Sequence, residues 1–186
     1  MKLGAKIFGA LSGILLLYLL VGLLLPGTWR AQEEVFLDAP PASVFPLLNR
    51  LSAWDLWTPF PASGLEAFGP PEGVGAGLRW DDPQYGKGEA RIIGAREDAE
   101  VEYEVEVEGG GLRIHGVLTL EPEGEGTRLR WIEEGDFGWN PLMGYAARGM
   151  PASQGEAMRA SLGRLKDVLA ESGADSPPLE TPVRGP

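Results

Sequence analysis

The run Val101-Glu102-Tyr103-Glu104-Val105-Glu106-Val107-Glu108 alternates strictly between apolar and acidic residues. A period of two belongs to a β-strand, so Val101, Tyr103, Val105 and Val107 share one face and the four glutamates share the other. One face is buried and the other wet, as in an antiparallel sheet covered on one side. A row of glutamates invites a cation-binding reading, but a solvated sheet face is the commoner meaning. Arg91, Arg113, Arg128 and Arg130 lie on neighbouring predicted strands, where cross-strand pairing offsets the repulsion.

The same reading extends outward from this strand. Leu112, Ile114, Leu118 and Leu120 mark the buried face of the next strand, and Leu129 and Trp131 that of the last. Glycines such as Gly86, Gly88, Gly94, Gly109 to Gly111, Gly124 and Gly126 punctuate the runs. Gly73-Val74-Gly75-Ala76-Gly77 lacks the Lys-Ser/Thr of a phosphate cradle and leads into a strand, so it reads as a loop. Beyond the strands, Met158, Leu162, Leu165 and Leu169 recur at helical spacing, with Ala157, Ser161 and Val168 widening the stripe and Gly173 ending it. Gly149-Met150-Pro151 separates this long helix from a shorter one over 140–148.

Upstream, Gln32–Leu37 is apolar enough for a strand. Asp38-Ala39-Pro40-Pro41 ends it and opens a helix whose face is Val44, Phe45, Leu47 and Leu48. The segment Ser52 to Phe60, with Trp54 and Trp57, reads as one helical turn and a loop. The order is strand, two short helices, about six to seven antiparallel strands, then a long helix: an α+β arrangement.

The N-terminus follows another rule. From Ile7 to Leu25 no charge interrupts 19 residues, which as a helix reach about 28 Å, near the thickness of a bilayer's hydrocarbon core. Pro26-Gly27 stops the run, and Trp29 stands where an interfacial aromatic anchors a span. The run exceeds a signal peptide's apolar region and no small-x-small site follows, so an uncleaved anchor is expected. Lys2 and Lys6 precede the span, which places the N-terminus in the cytoplasm and the remainder on the periplasmic or extracellular side. The expected division is an anchor over 1–30, a domain over 31–172 and a disordered tail over 173–186.

Composition excludes several classes. The chain has 186 residues, 16 basic and 27 acidic. Three of the basic ones, Lys2, Lys6 and Arg30, precede residue 31; the other 13 face all 27 acids, which leaves −14 for residues 31–186. Such a charge repels phosphate backbones, so no nucleic-acid partner is expected. Without cysteine there is no disulfide, no thiol nucleophile and no Cys-ligated metal. The single histidine, His115, excludes multi-histidine metal sites. It shares the parity of Arg113, opposite the Ile114 face, and is expected to point to solvent. No metal and no cofactor is expected.

Several stretches resemble the SRPBCC (START-like, polyketide cyclase/dehydrase-like) domains. They are Leu37-Asp38-Ala39-Pro40-Pro41-Ala42-Ser43-Val44-Phe45-Pro46-Leu47-Leu48, Trp54-Asp55-Leu56-Trp57-Thr58-Pro59, Gly126-Thr127-Arg128-Leu129-Arg130-Trp131, and Leu162-Gly163-Arg164-Leu165-Lys166. The likeness spans about 31–171. It implies a helix-grip fold, a curved sheet around the C-terminal helix with a deep apolar cavity between them. An N-terminal anchor is an addition to that pattern.

Aromatic and thioether side chains are the candidate cavity lining: Trp54, Trp57, Phe60, Trp80, Trp131, Phe137, Trp139, Met143 and Met158. Carboxylate or phenol chemistry would fall to Glu133, Asp136 or Tyr145. Glu133 shares the parity of Leu129 and Trp131, so it faces inward if the strand reaches it; if the strand stops at Ile132, the expected reading, Glu133 is solvated. The leading functional expectation is a membrane-tethered binder of a hydrophobic or amphipathic small molecule or lipid. A polyketide cyclase/dehydrase-like enzyme using carboxylate acid/base groups is the alternative, and no protein partner is indicated.

Overall fold

A computed structural model describes residues 2–59 and 64–174. Phe60 and the expected tail beyond residue 174 lie outside these. The acidic alternation forms β5, Glu100–Val107, with Val101 and Tyr103 buried and the glutamates on the outer face. There Glu102 meets His115 at 2.7 Å, and Glu106 faces Arg113 at 3.9 Å. An exposed ion pair such as Glu106–Arg113 is worth about 0–1 kcal/mol, enough to offset like-charge repulsion rather than to hold the fold.

The other strands are β1 (Thr28–Leu37), β2 (Glu66–Phe68), β3 (Gly77–Asp82), β4 (Gly86–Arg96), β6 (Leu112–Glu123) and β7 (Gly126–Asp136). They make one antiparallel sheet in the order β1-β7-β6-β5-β4-β3-β2. The first strand thus pairs with the last, and a bulge between Ile92 and Gly94 bends β4. The inner face is covered by α4, Met150–Ala174, whose Met158, Leu162 and Leu165 are buried as their spacing requires. Pro151 falls in its first turn, where a missing N–H costs nothing.

Between β1 and β2 come α2 (Pro41–Leu48) and a 3-10 helix (Leu51–Leu56). Trp54 donates its indole N–H to the Leu48 carbonyl at 3.0 Å, and Trp57 to that of Leu47 at 3.2 Å, so both large rings enter the core with their polar atoms satisfied. This seven-stranded curved antiparallel sheet around a C-terminal helix is a helix-grip fold.

The N-terminal helix α1, Lys2–Leu24, ends just before Pro26-Gly27. Its stretch Lys6–Leu24 is long and apolar enough to cross a membrane and is almost wholly unburied by the protein. Two expectations change here. The first strand begins at Thr28 rather than Gln32, because the ladder to β7 continues to the pair Thr28 and Asp136. Trp29 is accordingly not an interfacial anchor: it is 5% exposed, its ring lying on Gly135 of the opposite strand. A short α3, Met143–Ala147, links β7 to α4.

Candidate functional site

β7 runs on past Ile132 to Asp136, and that continuation builds the site. Parity carries Glu133 to the inner face, where it is 5% exposed, so the solvated reading of Glu133 does not hold. In the sheet register Glu133 stands beside Gly116 of β6, and Gly116 beside Tyr103 of β5. A Cβ on Gly116 would lie 2.1 Å from the Tyr103 ring. Glycine therefore lets the tyrosine lie flat across β6 and reach the carboxylate two strands away.

The result is a buried relay. The Trp131 indole N–H donates to the Tyr103 hydroxyl at 2.8 Å, that hydroxyl donates to Glu133 Oε1, and Gln154 of α4 donates its amide N–H to Glu133 Oε2. Both carboxylate oxygens thus have partners, as a buried carboxylate requires. Burial pushes the Glu133 carboxyl above the ordinary range, against the opposing pull of the hydrogen bonds from Tyr103 and Gln154. Burial and the neighbouring Glu133 charge raise the Tyr103 phenol well above its usual value, so it remains a donor.

The relay opens onto a cavity of about 150 Å³ between the sheet, the 3-10 helix region and α4. Its wall includes Trp54, Thr58, Pro59, Val105, Met158 and Ser161, apolar surface around one polar corner. A larger depression of about 540 Å³ lies among Arg30, Arg113, His115, Glu134 and Asp136 on the outer face. That surface also includes Trp29, but its carboxylates are exposed, Glu134 paired with Arg30 and Asp136 at the strand end. The smaller cavity is the better candidate because it joins a buried carboxylate, Glu133, to an apolar lining.

Residues 28–170 match the family described as polyketide cyclase/dehydrase and lipid transport. The chain belongs to that family. Solved structures of this fold include a Thermus thermophilus protein, TTHA0849, with 22% identity and a TM-score of 0.58 over 79% of this chain and 99% of that one. A protein of Rhizobium leguminosarum shares 21% identity, with a TM-score of 0.56 over 77% of this chain and 95% of that one. The di-domain ARO/CYC StfQ from the steffimycin biosynthetic pathway has a TM-score of 0.60 at 13% identity, over 79% of this chain and 52% of its own. At these identities the likeness is one of fold. No curated protein matches the chain.

Within this family domain the sequence-derived candidates separate. Trp54, Trp131, Met158 and Glu133 meet at the cavity. Trp57 is fully buried behind it, against the rings of Trp54 and Trp131. Trp80 is buried on Gly88, away from the cavity wall, and Phe137 packs at the core's edge. Met143 sits on α3, and Trp139 is 88% exposed. Asp136 accepts the Gly138 N–H at 2.8 Å on the surface, and Tyr145 stacks on Tyr18 of α1. His115 is half-exposed on the outer face, beside Glu102.

Sequence reasoning passed over Gln154 and the role of Tyr103. Gln154 extends the α4 stripe backward by four residues from Met158, a polar group on an apolar face. That mismatch was a usable signal. Tyr103 carried none, since only the register sets it beside Glu133.

Proposed function

We propose that this chain is a membrane-anchored binding protein for a hydrophobic or amphipathic small molecule, held between the sheet and α4. The observation that carries the reading is the buried Glu133–Tyr103–Gln154 cluster at the corner of an otherwise apolar cavity. Its volume narrows the ligand. About 150 Å³ is below the roughly 300–1,000 Å³ of a usual ligand pocket, and an apolar cavity of that order holds a single aromatic ring. A ring or the end of an acyl chain fits; a whole phospholipid does not. The polar corner would recognise a hydroxyl, amine or amide attached to that apolar group.

The register adds support. Val105 on the cavity wall is level with Ile114, Gly135 and Trp29, near the start of β1, so the cavity lies toward the end of the sheet that α1 joins. A tethered cavity so placed has short access to apolar molecules in a bilayer. The family description, which includes lipid transport, agrees with this reading.

The test is native mass spectrometry and organic extraction of the full chain purified in detergent, followed by thermal melting with the extracted compound. A co-purifying amphiphile that raises Tm in the wild type, and fails to do so in Ala157→Trp, which fills the cavity, is the expected result. A reproducibly empty protein whose Tm no extracted or added amphiphile moves would sink the proposal. The second reading, an enzyme of the cyclase/dehydrase sort, rests on the raised Glu133 carboxyl facing the cavity. It would be favoured if the extracted compound were transformed by the wild type and left intact by Glu133→Gln.

A further inference from the structure

The segment after β7 packs on the end of α1 rather than on the cavity. The Tyr145 ring lies parallel to that of Tyr18, centroids 4.4 Å apart, and its hydroxyl donates to the Tyr18 carbonyl at 2.7 Å. Gly22 leaves no room for a side chain, because a Cβ there would be 1.9 Å from the Pro141 carbonyl oxygen. Gly144 is also tight, since a Cβ there would lie 2.6 Å from the Leu25 Cβ and 3.2 Å from the Gly22 carbonyl oxygen. Small residues on both sides bring the backbones together, as in packed membrane helices. Tyr18 precedes Leu24 by six residues, about 9 Å along a helix. The segment is therefore held beside the last turns of the apolar span.

What it exposes there fits a lipid boundary. Trp139, 88% exposed, is the most exposed large apolar side chain among the described residues, and Leu142, three residues on, is 48% exposed. Residues 137–155 contain no acidic residue, in a chain with 27 of them, and Arg148 lies exposed just beyond α3. A tryptophan and a basic residue in a stretch free of acids are what a headgroup region accepts, with Asp136 at its edge held by the Gly138 N–H.

We propose that residues 138–149 form a membrane-interface foot: Trp139 and Leu142 enter the headgroup–acyl boundary of the bilayer that α1 crosses. The proposal rests on the reading of α1 as a span. Continuity with α1 commits it to lipid rather than to a protein partner. The foot replaces Trp29 as the interfacial anchor and holds the cavity end of the sheet toward the membrane.

The absence of cysteine makes the test direct. Trp139→Cys, Leu142→Cys, Ile14→Cys and Glu125→Cys, each in the full chain, are labelled with a small fluorophore and reconstituted into phosphatidylcholine–phosphatidylglycerol vesicles. Glu125 is exposed in the β6–β7 turn at the other end of the sheet, and Ile14 reports on the span. Labels at 139 and 142 should be quenched by a lipid spin-labelled near the headgroup, and that at 14 by a lipid spin-labelled toward the end of its acyl chain. Iodide quenching at 139 and 142 should be at least about threefold weaker than at 125. If 14 is quenched by lipid while 139 and 142 respond to iodide as 125 does, the foot is wrong and the span stands. If 14 escapes lipid quenching, the span fails and the foot with it. Shielding of 139 and 142 from both quenchers would mean a protein surface covers them, which also overturns the proposal.

Discussion

Glu133 is the residue on which the chemistry turns. A carboxylate 5% exposed is tolerated because Tyr103 and Gln154 occupy its two oxygens, yet burial still favours its neutral form. The sign of the consequence follows. With a folded-state pKa raised above the ordinary 4.5, the folded protein holds a proton the unfolded chain has released. Stability from this group is full below that value and is lost as pH rises through the raised one. Glu133→Gln mimics the neutral form and removes the dependence. Melting both full-length proteins in the same detergent from acid to neutral pH should show the variant gaining on the wild type as pH rises above 4.5. A gap that stays constant across the range would contradict it.

At the scale of elements, the sheet repeatedly sets a ring against a glycine directly opposite on the next strand: Tyr103 on Gly116, Trp29 on Gly135, Trp80 on Gly88 and Phe68 on Gly77. The ring covers the backbone that glycine leaves bare, and glycine admits a ring too large for a side-chain neighbour. Gly116→Ala forces the fully buried Tyr103 aside and overpacks the site, a cost of about 1–3 kcal/mol. Urea unfolding should show that loss, and loss of ligand binding should accompany it because the Tyr103 contact to Glu133 breaks. Stability within experimental error of the wild type would mean that the ring has room to shift. The strands themselves were legible in the sequence because period-two alternation is local. These ring–glycine pairs were not, since each joins positions on different strands. Glu133 read as solvated because β7's continuation depends on its partners β1 and β6 rather than on its own composition.

For the whole molecule, orientation decides what the cavity can meet. Lys2 and Lys6 before the apolar run favour the N-terminus in the cytoplasm, with the family domain outside. Retention of the helix is favoured too: cleavage near Ala31 would strip the buried Trp29 from β1. A reporter fused after Pro186 that works only outside the cytoplasm should be active, and one that fluoresces only inside should stay dark. The reverse pattern would put the cavity on the cytoplasmic face of the membrane. By itself the sequence determined the order of elements, the apolar N-terminal helix, the inward rows of β5 to β7 and the face of α4, because periodicity and punctuation act between near neighbours. The tertiary structure alone decided that Trp29 is core and Trp139 surface, that Tyr145 belongs to α1 rather than to a site, and that Tyr103, Glu133 and Gln154 share one corner. Those facts depend on strand register and on how α3 and α4 pack, contacts between residues far apart in the chain that no local pattern encodes.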